Sequence, residues 1–281
     1  MVQRPRRRQM WLAVGTLVVI VGLLAVLLGV GGSPARKTTS STSSPGSSST
    51  TSTTGGGSTS STALSGSTTS TTTTTGVTNP ALAGVTTIVS PSVPVPGYAR
   101  PGGRRVTTVP TRWLGSPLVM PVIAVRAGYF EIRLPERPNG STTWVRSTGL
   151  LISQTPYQII VSLRTKHLEL FKDGKVVMNA PVGVGTVRYP TPVGNFFLTS
   201  YAEAPDPGYG PFVMVTSAHS NTITDWQGSG DAIVAIHGPL GADAVIGTSG
   251  ARVSHGCIRM HVAQQQRLSV VPIGSPITIT R

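Results

Sequence analysis

The hydrophobic pattern divides the chain into three unlike stretches. Trp11 to Val30 is a twenty-residue run without a charged side chain, rich in Val, Leu and Gly. At about 1.5 Å of rise per residue, a helix of that length matches the roughly 30 Å hydrocarbon core of a bilayer. Residues 31–96 are almost entirely Ser, Thr, Gly and Pro. That composition buries too little apolar surface to offset the entropy of ordering, so it predicts a disordered linker. Beyond residue 96 the pattern changes again, to short apolar runs separated by turn residues.

These runs fall into two groups. In residues 97–155, Leu118–Val125, Gly128–Leu134 and Thr142–Arg146 read as strands, with the turn cluster Pro138-Asn139-Gly140-Ser141 before the last. About five short strands in this space predict a small barrel, similar to a bacterial SH3-like module. Such a module either binds wall peptide or braces its neighbour. In residues 156–281, β-rich runs recur at Tyr157–Leu163, His167–Phe171, Val176–Val182, Asn195–Thr199, Phe212–Thr216, Ala232–His237 and Pro276–Thr280. Lys172-Asp173-Gly174-Lys175 is a hairpin signal between two of them. Helical periodicity is confined to Val262–Val270. The chain is therefore predicted to be mainly β, with a largely antiparallel β-sandwich and one or two short helices in its last 126 residues.

Charge sharpens the first stretch. Arg4, Arg6, Arg7 and Arg8 precede the apolar run, with no acid among the first ten residues. Positive charge on that side places the N-terminus in the cytoplasm and exports everything after the run. The expectation is a single-pass signal anchor in the cell membrane, with the N-terminus cytoplasmic and an extracytoplasmic domain. Cleavage near Ser33-Pro34-Ala35 is the alternative, and would secrete the protein. No cysteine follows the run closely, which excludes a lipoprotein anchor. As a flexible coil, the linker spans roughly 40–48 Å, enough for a stalk.

The formal net charge of +14 is unevenly spread: residues 156–281 carry nine basic and seven acidic groups, and residues 97–155 carry eight and two. The last segment lacks the basic stripe interleaved with aromatics that nucleic-acid binding needs. The middle segment suits either an anionic polymer or a plain solvated face.

Candidate chemistry centres on Cys257, the one cysteine of the chain, in Ser254-His255-Gly256-Cys257-Ile258-Arg259-Met260. An exported protein usually pairs its cysteines, so a lone one demands a role. A thiol is a weak nucleophile unless a base or a positive field stands beside it. His237 ends an apolar strand and is followed by Gly238, which suits a side chain facing a cleft. The successive backbone N–H groups of His255, Gly256 and Cys257 offer donors for an oxyanion, and Gly256 lets them converge. Arg259 is suited to a substrate carboxylate. Zinc held by His237, His255 and Cys257 is the rival reading of the same residue types. His219 is a candidate for the cleft, His167 for a solvated strand face and His261 for a structural role. Tyr209, in Tyr209-Gly210-Pro211-Phe212, is either a substrate-facing wall or part of an ordinary turn.

His237, sixteen intervening residues and then Ser254-His255-Gly256-Cys257-Ile258-Arg259 together resemble the signature of the L,D-transpeptidase catalytic domain (YkuD-like) family. Pro190-Thr191-Pro192-Val193-Gly194-Asn195-Phe196 and the closing Gly274-Ser275-Pro276-Ile277-Thr278-Ile279 are similar to it as well. The resemblance covers about 157–281. Pro239, Val262 and Gln264 depart from residues common in the family.

By resemblance, Cys257 is the nucleophile, His237 its general base, and the Gly238 carbonyl fixes the imidazole tautomer. His255, Gly256 and Cys257 line the oxyanion hole, while Ser254 and Arg259 support the site and its substrate contacts. The implied activity is a peptidoglycan L,D-transpeptidase that forms 3→3 cross-links through a thioester with release of D-Ala, without metal or cofactor. Its partners are a donor tetrapeptide stem and the diamino-acid side chain of an acceptor stem, and carbapenem-type β-lactams are expected covalent inhibitors. An L,D-carboxypeptidase using water, or a non-catalytic wall-binding scaffold, stays open. The predicted organisation is a basic tail (1–10), an anchor (11–30), a linker (31–96), an SH3-like module (97–155) and a catalytic domain (156–281).

Overall fold

The computed structural model describes residues 84–281. The basic tail, the membrane anchor over 11–30 and most of the predicted disordered linker lie outside the described residues. Among the described residues no helix is long and apolar enough to cross a membrane.

The first sheet contains β1 (Thr86–Pro91), β2 (Val95–Tyr98) and β3 (Arg105–Val109). A two-strand hairpin follows, β4 (Arg112–Trp113) with β5 (Ser116–Pro117). The sheet resumes with β6 (Met120–Arg126), β7 (Tyr129–Arg133), β8 (Thr142–Arg146) and β9 (Leu150–Thr155). Its order is β3-β2-β8-β7-β6-β1-β9, with every neighbour antiparallel.

This corrects two expectations. The linker does not run to residue 96: Thr86-Thr87-Ile88-Val89-Ser90-Pro91 lies between β6 and β9, with Val89 fully buried. Its β-branched residues and the partners on both sides outweigh the Ser/Thr-rich composition upstream. In place of a five-stranded SH3-like barrel over 97–155, the structure has a seven-stranded ladder that begins at Thr86 and leaves β3 and β9 as its ends.

The second sheet is formed by β10 (Tyr157–Ser162), β11 (His167–Lys172), β12 (Lys175–Pro181), β14 (Gly194–Ala202), β15 (Val213–His219), β16 (Ile233–His237), β18 (Ile258–Arg259) and β19 (Pro276–Thr280). β13 (Val184–Gly185) and β17 (Arg252–Ser254) pair separately, in parallel. The order of the eight strands is β12-β11-β10-β19-β14-β15-β16-β18. It is one mixed sheet rather than the predicted antiparallel sandwich. β19 enters beside β10 in parallel, and β18 pairs with β16 in parallel. Ile277 and Ile279 explain the central place of β19: both are buried, as alternate residues of a strand facing a core are.

The 172–175 signal forms the predicted turn. Asp173 and Gly174 both have positive φ, 51° and 71°, the conformation that matches strand twist in a two-residue hairpin. One short helix, α1 (Val262–Gln266), continues as a 3-10 turn through Val270. The core gathers Ile159, Val161, Leu168, Phe196, Leu198, Met214, Ile236, Ile258, Met260 and Leu268, all nearly or fully buried.

Candidate active site

Four elements meet around Cys257. β17 ends at Ser254, β18 begins at Ile258, and the three residues between them form a tight loop. Ser254 holds that loop from within: its hydroxyl donates to the Cys257 carbonyl at 2.6 Å and accepts the Gly256 N–H at 3.1 Å. Gly256 has φ of +126°, a backbone conformation a side chain would strain. From outside, the buried Thr191 hydroxyl donates to the Gly256 carbonyl at 2.8 Å and accepts the Gly185 N–H at 2.9 Å. The Pro190–Phe196 motif thereby braces the nucleophile loop, a role its sequence did not disclose.

β16 brings in the base. The pairing Ile236↔Ile258 and His237↔Arg259 sets the end of β16 directly beside the cysteine loop. His237 is almost fully buried. Its Nδ1 lies 2.8 Å from the Gly238 carbonyl oxygen. A carbonyl only accepts, so Nδ1 carries the proton and Nε2 keeps its lone pair. Burial pushes the imidazole down to about 4, reinforced by the Arg259 charge and opposed by the Gly238 hydrogen bond and by Asp206. The ring is therefore neutral at neutral pH. Gly238 also admits its neighbour: a Cβ there would stand 2.6 Å from the Tyr209 carbonyl carbon and from the Gly210 nitrogen.

Cys257 is half-buried. Burial pushes its thiol up, while a hydrogen bond from the Ala235 backbone and the Arg259 charge pull the other way. Ala235, whose backbone reaches the thiol, lies two residues before His237 on β16, and Tyr209, whose ring is 4.8 Å from that of His237, also feels the Cys257 charge. The thiol and the imidazole thus occupy one pocket, both neutral at rest.

Tyr209 stands over this pair, its ring centroid 4.8 Å from that of His237. It sits on a 3-10 turn, Pro207–Tyr209, capped by Asp206, whose carboxylate accepts the Gly208 N–H at 2.7 Å. Burial raises the Tyr209 phenol, as do the charges of Cys257 and Asp206, against Arg259. Gln265, fully buried on α1, pins this turn by donating to the Tyr209 and Phe212 carbonyls. Tyr209 therefore lies in the turn that its sequence suggested, with its ring against that of His237.

Arg259 is half-buried, and its Nε has no partner among the described residues. Its charge acts on Cys257, His237 and Tyr209 alike. This sets a cation with one unpaired, buried N–H beside all three groups.

Two expectations change. The Gly256 N–H is spent on Ser254, so the donors free for an oxyanion are those of His255 and Cys257, which have no acceptor among the described residues. His219 does not line this pocket. It is buried at the end of β15, with Nε2 2.8 Å from the Pro135 carbonyl and Nδ1 2.7 Å from an Asp231 oxygen. That second contact is short but does not have the geometry of a hydrogen bond. His261 is 3.3 Å from Asp243, and His167 opens β11 half-buried. No group of three His, Cys, Asp or Glu side chains is arranged to hold a metal among the described residues.

The sequence reading missed Tyr189 and Trp226, whose rings lie 4.8 Å and 5.2 Å from that of His255. A lone Trp inside the turn-rich Asp225-Trp226-Gln227-Gly228-Ser229-Gly230 was the available signal for the second. Tyr189, just before the braced motif, gave none.

A family model described as L,D-transpeptidase catalytic domain, YkuD, matches residues 156–279. The YkuD protein of Bacillus licheniformis is 34% identical over 126 residues, which cover 44% of this chain and 66% of the relative. The YkuD protein of Bacillus subtilis is 31% identical over 127 residues, covering 45% and 67%. The chain thus spans about two thirds of the length of these relatives. Among solved structures, L,D-transpeptidase 3 from Mycobacterium tuberculosis, in complex with a faropenem-derived adduct, aligns with a TM-score of 0.38 at 15% identity, over 58% of this chain and 91% of that one. With the family model spanning the residues that carry Cys257 and His237, and a Bacillus subtilis relative 31% identical over 67% of its length, this chain belongs to the L,D-transpeptidase catalytic domain family.

Proposed function

We propose that this chain is a cysteine-dependent peptidoglycan L,D-transpeptidase that makes 3→3 cross-links. The observation that carries the reading is the shared pocket of Cys257 and His237, in which the imidazole is neutral and its Nε2 is unprotonated. In the acylation step the Cys257 sulfur attacks the carbonyl joining the diamino acid at position three of a donor stem to D-Ala at position four. His237 Nε2 takes the thiol proton as the carbon–sulfur bond forms, then delivers it to the departing D-Ala amine. The negative charge on the tetrahedral oxygen falls to the N–H groups of His255 and Cys257. Arg259 balances a donor carboxylate. The amine of an acceptor stem then attacks the thioester, its proton goes to His237, and the thiol is restored on release.

The layout agrees with that substrate. An anchor over 11–30 and a stalk of several nanometres would hold the β-rich part outside the membrane, near the wall. A strained β-lactam carbonyl presents the same electrophile, so carbapenem-type lactams would acylate Cys257 and persist where no amine resolves the thioester.

The test is mass spectrometry of the full chain incubated with a tetrapeptide-stem muropeptide. Loss of D-Ala with dimer formation is expected, and Cys257→Ala abolishes both. D-Ala loss without dimer means that water is the acceptor. A folded wild type that does neither, and takes no mass increment from a carbapenem, is a scaffold.

A further inference from the structure

Residues 220–231 form a loop between β15 and β16 that carries Trp226 to the nucleophile loop. Residues 221–230 are exposed apart from the half-buried Ile223, so little apolar packing fixes where the loop lies. Inside it, the ties are local: Trp226 N–H donates to the Asp231 carbonyl at 2.8 Å, and Gly230 N–H to the Asp225 carboxylate at 2.8 Å. Its outside anchor is the turn between β7 and β8 of the first sheet. Arg137 reaches three separate points of the loop, with Nε 2.8 Å from an Asp231 oxygen, Nη1 2.9 Å from the Ser220 carbonyl and Nη2 3.1 Å from the Ile223 carbonyl. Asn139 adds a reciprocal pair with the His219 backbone, donating to its carbonyl at 2.7 Å and accepting its N–H at 2.8 Å.

We propose that Arg137 and Asn139 are positioning residues for the Cys257 site: they hold the 220–231 loop so that Trp226 stands against His255 and walls the approach to the thiol. The first sheet then contributes to donor binding without touching the reacting atoms. Three features make the tie specific. A guanidinium fork alone can serve a carboxylate and two carbonyls at once; an ammonium cannot span them. Asp231 is held by Arg137 at Oδ1, while the His219 ring lies 2.7 Å from Oδ2 and limits where the carboxylate can sit. His255, whose ring Trp226 lies against, is two positions from the nucleophile and supplies one of the two free N–H groups of the loop.

The role in donor binding rests on the transpeptidase reading; the wall over the thiol does not. The experiment therefore has two readouts on the full chain. One is the KM and kcat of D-Ala release. The other is the rate at which iodoacetamide alkylates Cys257, which needs no enzymatic activity. Arg137→Ala should raise KM about threefold to tenfold with kcat within about twofold, and speed alkylation by a comparable factor. Trp226→Ala should do the same, and the double variant should be no worse than either single one, because the two residues act through one contact. Arg137→Lys should not rescue. Asn139→Ala, a milder change, takes the place of Arg137→Ala in the cycle if that variant fails to fold. Additive effects in the double variant, or a lowered melting temperature with KM and alkylation unchanged, would overturn the proposal. If wild type releases no D-Ala, the function reading fails on its own, while the alkylation cycle still decides the wall.

Discussion

Both partners of the pocket are held neutral by burial, and that sets a distinctive pH behaviour. Cys257 is pushed above the ordinary thiol range and His237 down to about 4, so no thiolate–imidazolium pair is stored at rest. Alkylation of Cys257 should therefore climb only at pH values above those at which a free cysteine reacts, with no thiolate absorbance at pH 7. A thiolate band at neutral pH would contradict the neutral pair. His237 also links pH to stability. Its folded pKa lies below the unfolded value near 6.5, so on acidification the unfolded chain takes up the proton first. The contribution is fully present above pH 6.5 and drains away as pH falls to about 4, by on the order of 3 kcal/mol at most. Urea midpoints at pH 7 and pH 4 measure it, and His237→Gln should show a smaller drop between them than wild type.

The nucleophile loop is an element with no regular secondary structure of its own, and it keeps its shape through borrowed hydrogen bonds. Thr191 supplies two of them, to Gly256 and Gly185, in a buried setting. Thr191→Val keeps the volume but leaves an N–H and a carbonyl unpaired. It should cost about 1–3 kcal/mol of stability and lower kcat more than KM, since the donors around the thiol loosen. Thr191→Ser should recover most of both; thermal melts and D-Ala release rates check the pair. These bonds explain what the sequence disclosed and what it hid. Strands announced by short continuous apolar runs, such as Ile233-Val234-Ala235-Ile236, were legible, and so were the cysteine and histidine whose chemistry needs those residue types. β17, β18 and the two-residue β13 were not, because strands this short carry no period. Neither were Thr191, Gln265 and Trp226, whose importance lies in partners 53 to 65 positions away for the first two and across a loop for the third. β1 was hidden by composition, since Thr and Ser upstream blend into its own Thr86 and Thr87.

At the scale of the whole molecule, one strand serves two cores. Successive side chains of β14 point to opposite faces. Phe196 and Leu198 lie in the core of the second sheet, while Phe197, fully buried, packs with Val89, Leu118, Met120, Ile132 and Val145 of the first. A second tie is buried as well, the Thr155 hydroxyl 2.8 Å from that of Ser275. The first sheet is thus an integral part of the fold around the site rather than a tethered accessory, and β1 belongs to it through Val89. A chain begun at residue 97, where composition alone sets the linker's end, lacks that strand and uncovers Phe197. Scanning calorimetry tests the consequence. Residues 84–281 should melt in one transition, and Phe197→Ala should lower it by about 3–5 kcal/mol, the cost of emptying a large aromatic site in a packed core. The shortened chain should melt at lower temperature still and aggregate. Two separate transitions in residues 84–281, with Phe197→Ala shifting only the first-sheet one, would show instead that the sheets fold independently and that the contact is incidental.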